Sequence, residues 1–259
     1  GKRKINQKII FLMINILFSK SKSFKQQLSR YLDSRKPNNG SKIKVVKKII
    51  SEVKKNKDQS LLKYEKKFSN SKKINKKDLF FSKSEINKII KRLDINTKNS
   101  INISFKRIYK FHKNQKFKDF KVLDNYKNLL SYRSMPLEKV GVYVPGGVAN
   151  YPSSVLMNCI PAIAAGGKKI YLTTPCIGKK INPGVLYAAK KCKVKEIYKL
   201  GGAQAIAAFA HGTETVKKVD KIVGPGNEYV ALAKKEVFGE VGIDMFAGPS
   251  EVTIIADKY

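Results

Sequence analysis

Four glycine-containing turns carry the side chains best suited to hold a ligand. They read Tyr143-Val144-Pro145-Gly146-Gly147, Gly201-Gly202-Ala203-Gln204, Gly224-Pro225-Gly226-Asn227 and Ala247-Gly248-Pro249-Ser250-Glu251. Glycine lets the backbone enter positive φ and lets a ligand approach closely. A helix that starts just after such a turn offers amide N–H groups and a positive dipole end to a phosphate. One such turn alone would do no more than shape a tight connection. Four of them, each with a side-chain donor or acceptor, predict a crevice for a phosphate-bearing ligand. The sequence contains neither a GxGxxG fingerprint nor a P-loop, so the residues alone specify the ligand no further.

The elements that must position these turns begin at Lys139. Apolar runs at Val140–Val144, Lys169–Thr174, Glu196–Leu200, Lys221–Val223 and Glu251–Ala256 read as strands. Between them, Ser154–Ala165, Pro183–Cys192, Ala203–His211 and Glu228–Phe238 read as helices. Strands that are apolar throughout and alternate with helices predict a parallel sheet covered on both faces. Ligands of such sheets sit at the carboxyl ends of the strands. The fold class expected is α/β: a helical N-terminal region followed by a Rossmann-like, doubly wound domain with a mainly parallel sheet.

Residues 22–138 have a different texture and read mainly as helices. Lys42–Val53 places Val45/Val46, Ile49/Ile50 and Val53 on one stripe. Leu61–Phe68 continues after a short polar break. Ser84–Leu93, with Ser84 as its cap, and Ile101–Asn114 come next, and the polar segment Ser69–Lys77 reads as a loop. The apolar run Ile9–Phe18 is far shorter than the roughly 20 residues a membrane helix needs. No small-residue cleavage site lies after it, so a packed or interfacial helix is expected rather than a signal peptide, and no membrane partner.

The formal charge is +35, and 42% of residues are hydrophobic, enough for a globular core. Residues 140–259 carry 15 Lys/Arg and 9 Asp/Glu, a net of +6, which leaves +29 on residues 1–139. Only six of the 54 basic residues are Arg. A surface that reads bases or grips phosphates bidentately leans on arginine. The excess is Lys, accompanied by Ile and Asn, all available from A/T-rich codons, so no nucleic-acid partner is expected. Cys159, Cys176 and Cys192 form no short pairing, predict small core positions and fit a reduced, cytoplasmic setting. His112, in a Lys-rich helix, and His211, at a helix end, read as surface or capping residues.

The blocks Val140–Gly147, Gly201–Ala208, Val219–Asn227 and Ile243–Val252, in this order and at about this spacing, resemble successive blocks of the histidinol dehydrogenase family. Ile49–Val53 with Asp58–Tyr64 is similar to the family's N-terminal helical block, and Phe111–Gln115 to its next helix. The resemblance covers roughly residues 22–259. It implies an NAD- and zinc-dependent oxidoreductase of histidine biosynthesis that takes L-histidinol through L-histidinal to L-histidine and works as a homodimer. A family relative acting on another small alcohol, such as sulfopropanediol, is the alternative. A basic nucleic-acid-binding protein is the reading from another class.

By the same resemblance, Tyr143, Gln204 and Asn227 contact NAD and Ser250 contacts the substrate. The family's zinc ligands, and the Glu-His pair that supplies its base, match no position in this sequence. They are expected after Tyr259, so no catalytic or metal residue is assigned and the chain by itself is expected to be inactive. The organisation implied is an extension over 1–21, a helical portion of an incomplete first domain over 22–138, an NAD-binding domain over 139–251 and a return to the first domain over 252–259.

Overall fold

The computed structural model describes residues 16–34, 40–69, 74–146, 151–176 and 181–245, with residues 254 and 256. Two compact units divide at Ser41 and Lys42. In the first, helix α1 (Phe24–Ser34) comes after a turn in which Phe24 N–H donates to Ser21 O. From Lys42 onward the architecture belongs to the second.

The second unit is built on five parallel strands: β3 (Lys139–Tyr143), β4 (Lys169–Thr173), β5 (Glu196–Tyr198), β6 (Lys221–Val223) and β7 (Gly242–Ile243). Their order is β5-β4-β3-β6-β7. The chain therefore winds outward from β3 in one direction, then returns beside β3 and winds in the other.

The period of two along the strands separates two cores. Val140, Val142, Val144, Ile170, Leu172 and Ile197 face one core. On that side pack α3 (Lys83–Ile90), α4 (Ile95–His112), α5 (Pro152–Ala164) and α6 (Pro183–Lys191). Tyr143, Tyr171, Tyr198 and Ile222 face the other core. It is covered by α2 (Gly40–Phe68), α7 (Gly202–His211) and α8 (Glu228–Val237). The expected doubly wound sheet is thus observed.

Helix α2 is two antiparallel limbs. Lys57 breaks it with φ 51° and ψ −130°. Lys42, Lys47 and Lys54 of the first limb pair in turn with Glu228, Glu236 and Glu240, so this limb runs alongside and parallel to α8. After the break, Asp58 meets Glu214 and Thr215 just beyond α7, and Glu65 meets Gly201 and Gln204 at its start. The second limb therefore runs back along α7. Lys63 Nζ lies 2.7 Å from Glu52, eleven residues earlier. A straight helix would separate that pair by roughly 16 Å. The reversal is held by Lys57 Nζ donating to Gly212 O at 3.2 Å and by Thr215 Oγ1 donating to Asp58 Oδ1 at 2.6 Å.

Several local expectations are corrected. The cap of α3 is Ser82, not Ser84; its hydroxyl accepts from Glu85 N–H. Helix α4 starts six residues before Ile101, because Asp94 caps it through Thr97 N–H. Within the portion read as mainly helical, β1 (Phe120–Leu123) and β2 (Leu129–Tyr132) form an antiparallel hairpin. Its turn closes on Asp124, whose Oδ1 accepts from Tyr126 and Asn128 N–H. Both strands are exposed along their whole length. The apolar run Ile9–Phe18 lies mostly outside the described residues, as does most of the strand expected over Glu251–Ala256.

Candidate functional site

The carboxyl ends of β3, β4, β5 and β6 open into a cavity of about 480 Å³. Tyr143, Pro145 and Gly146 enter it from β3, Pro175 and Cys176 from β4, Gly201–Gln204 from the end of β5 and the start of α7, and Asn227 and Tyr229 after β6. Both limbs of α2 close it, with Val45 and Ile49 from the first and Glu65 and Phe68 from the second. The cavity lies at β3 and β6, where the winding direction reverses, the place at which open α/β sheets take their ligands.

The three residues singled out for a cofactor come together here. Tyr143 ends β3 and is 3% exposed. Its hydroxyl accepts from Gly202 N–H at 3.1 Å. Burial pushes its pKa up to about 12, so it stays a phenol with a proton to donate. Gln204 lies in the first turn of α7, and its Nε2 donates to Glu65 Oε1 at 2.9 Å. Asn227 caps α8: its Oδ1 accepts from Val230 N–H at 3.1 Å, which leaves the amide nitrogen directed elsewhere. Ser250, the fourth, lies outside the described residues.

The turn that carries Asn227 is fixed from beneath. Gly224 has φ 113°, and a Cβ there would sit 2.1 Å from the carbonyl oxygen of Tyr143. Only glycine fits such a position. Buried Lys234 donates to Gly224 O at 3.0 Å and pairs with Asp244, which accepts from Gly224 N–H at 2.7 Å. One ion pair thus holds both polar atoms of the glycine.

Residue-level reading missed three contributors. Glu65 is 4% exposed and accepts from Gly201 N–H at 3.2 Å as well as from Gln204. Burial raises its pKa, against the lowering effect of those two hydrogen bonds. Its signal was a carboxylate on the apolar stripe of Leu61 and Tyr64. Lys234 and Asp244 carried no signal that set them apart from other charged residues. Of the cysteines, Cys159 and Cys192 are buried as expected, whereas Cys176 is half-buried and lines the cavity. His112 bonds Gln115 near the surface. His211 is not a surface residue: its side chain is buried, 3.0 Å from Glu240.

The family model described as histidinol dehydrogenase matches residues 33–259. The chain belongs to the histidinol dehydrogenase family. It is 54% identical over 249 residues to histidinol dehydrogenase of Pelagibacter ubique (strain HTCC1062), covering 95% of this chain and 57% of that protein. With the Carboxydothermus hydrogenoformans enzyme of the same name it shares 45% over 213 residues, 82% of this chain and 50% of the relative. The crystal structure of histidinol dehydrogenase from Elizabethkingia anophelis superposes with a TM-score of 0.75 at 39% identity, over 80% of this chain and 48% of that one. The chain thus spans about half the length of the family members it matches. Among the described residues, no group of three or more His, Cys, Asp or Glu side chains could hold a metal ion.

Proposed function

We propose that the complete protein carrying this chain oxidises L-histidinol through L-histidinal to L-histidine with NAD, and that the cavity at the strand ends holds part of that cofactor. The observation that carries this reading is the convergence of Tyr143, Gln204 and Asn227 on one cavity from three separate strand ends. The donor set fits a dinucleotide. Tyr143 offers a phenol proton and an aromatic edge, Gln204 an amide carbonyl, and Asn227 an amide nitrogen left over from its cap. Apolar Val45, Ile49, Pro145 and Pro175 supply walls that exclude water from a planar ring. When bound, NAD would supply the hydride acceptor for each of the two oxidations, alcohol to aldehyde and hydrated aldehyde to carboxylate, so that each histidinol consumes two NAD.

Within this chain the chemistry is binding and orientation. The Gly224 clamp fixes the turn that carries Asn227, the cap bond to Val230 N–H orients the Asn227 amide, and the Glu65 contact orients the Gln204 amide, so both are set before the ligand arrives. Ser250 is proposed to touch the substrate. Zinc belongs to the reaction as proposed, and no described residue is assigned to it. A homodimer in the cytoplasm completes the proposal, as does the division into 1–21, 22–138, 139–251 and 252–259. No helix among the described residues is long and apolar enough to cross a membrane.

The test is a dehydrogenase assay of the complete protein with L-histidinol and with sulfopropanediol, monitoring NADH. Turnover of L-histidinol alone is the expected result. Turnover of sulfopropanediol alone would replace the substrate, and turnover of neither would remove the reading.

A further inference from the structure

Strand β5 ends the parallel sheet on one side. Leu79–Phe81 runs antiparallel along part of this edge. Phe81 N–H donates to Ile197 O at 2.9 Å, and Lys199 N–H donates to Leu79 O at 2.8 Å. The chain then leaves the edge, because Ser82 caps α3 through Glu85 N–H. The N–H and C=O of one strand residue point to the same side, so Ile197 N–H points outward with its carbonyl. Once Phe81 has given way to the helix, that amide has no acceptor among the described residues.

Here the edge borders a cavity of about 650 Å³, larger than the one at the strand ends. Phe81, Ile86, Val194 and Ile197 give it apolar walls. Lys83, Lys190, Lys195 and Lys217 line it together with Glu196 and Glu214. Both acids are engaged within the fold: Glu196 accepts from the Tyr198 hydroxyl and Glu214 from Asp58 N–H. Lys190 donates to Asn87. The ammonium groups of Lys83, Lys195 and Lys217 have no hydrogen bond or ion pair with any described residue. The groove thus offers an outward amide at the strand edge and three unpaired cations around an apolar floor.

From this geometry we infer that the β5 edge is a docking surface for an extended, acidic segment of a partner protein. Such a segment continues the pairing that Leu79–Phe81 begins and sets a backbone carbonyl on Ile197 N–H. Its apolar side chains suit Ile86 and Val194, and its carboxylates suit Lys83, Lys195 and Lys217. The same lysines exclude the partner that an open edge readily meets, a second copy of itself. Two β5 edges side by side would bring the two lysine sets together, in a chain whose formal charge is +35.

The experiment is a fluorescence-polarisation titration of labelled probes into the complete protein. The probes are peptides of about six residues alternating valine with glutamate or valine with lysine, and an oligothymidine of similar length. The valine-glutamate peptide is expected to bind, at least about tenfold tighter than either other probe. Raising the salt from about 50 mM to about 500 mM should weaken it by a similar factor. Lys195→Glu combined with Lys217→Glu should also weaken it about tenfold, with an unchanged melting temperature, since both side chains are exposed. Hydrogen exchange at the Ile197 amide should slow on binding, which loose attraction to the lysines would not cause. A valine-glutamate peptide that fails to bind, or that either other probe matches, overturns the proposal. So does binding that leaves exchange at Ile197 unchanged, or an affinity within about twofold of wild type in the folded double variant. The probe comparison, the salt series and the exchange measurement use wild type alone, so they decide the question even where the double variant fails to fold.

Discussion

Glu65 and Gln204 stand 139 residues apart in the chain and meet at 2.9 Å. The contact joins the helical half of the sequence to the turn that lines the cavity. It also leaves a nearly buried carboxyl group whose pKa burial has raised.

That raised pKa has a sign. A carboxyl that holds its proton more tightly when folded contributes stability below its unfolded value, near 4.5, and loses that contribution as pH rises through the folded value. Wild type and Glu65→Gln should thus be about equally stable at the acid end. Above pH 4.5 the wild type should fall progressively behind the variant. Paired urea titrations across this range check the direction; a wild type that gains on the variant with rising pH contradicts it.

Gln204→Ala should weaken NAD binding by about tenfold, the worth of one well-made hydrogen bond. Asn227→Ala mixes two effects, since losing the cap alone costs about 1 kcal/mol. Asn227→Asp keeps the cap oxygen and removes the amide nitrogen. It should leave the melting temperature unchanged while weakening NAD by a similar factor. Calorimetry on the two variants checks both numbers, and unchanged affinity counts against the contacts.

Gly224→Ala should destabilise by roughly 3 kcal/mol or more, because strain at φ 113° adds to a contact 2.1 Å from the Tyr143 carbonyl. A chemical denaturation curve measures it, and a loss below about 1 kcal/mol would show that the turn can relax.

Lys234→Met should cost about 3 kcal/mol by leaving Asp244 without its partner. Adding Asp244→Asn, which removes the stranded charge, should recover part of that loss. A double-variant cycle in urea gives the coupling directly; strictly additive losses would mean that the two side chains do not hold Gly224 together.

The parallel sheet was legible because its strands are short apolar runs punctuated by glycine and separated by Ala-rich helices. Tyr143, Gln204 and Asn227 were legible because each sits beside a glycine turn at a strand end. The hairpin of Phe120–Leu123 and Leu129–Tyr132 was not: Phe120 and Val122 pair with Tyr132 and Leu130 on one face and Lys121 with Ser131 on the other, an alternation only three residues long in each strand and therefore too short to stand out. Glu65 was hidden for a related reason. On its own helix it is one acid among many lysines, and its meaning comes from a glycine turn it meets only after folding. The polar break before Leu61 was visible, but nothing local announces that the chain doubles back at Lys57.

The doubling back gives the two limbs of α2 separate phases. Each residue added or removed turns the rest of its limb by about 100°. A one-residue deletion between Asp58 and Glu65 would swing Glu65 away from Gly201 while Lys42, Lys47 and Lys54 kept their partners on α8. A deletion before Lys54 would instead disturb those ion pairs and leave the second limb anchored at Thr215. The two sides that α2 gives the cavity, Val45 and Ile49 from one limb and Glu65 and Phe68 from the other, are therefore free to drift independently in length and register, with Lys57 as the joint between them.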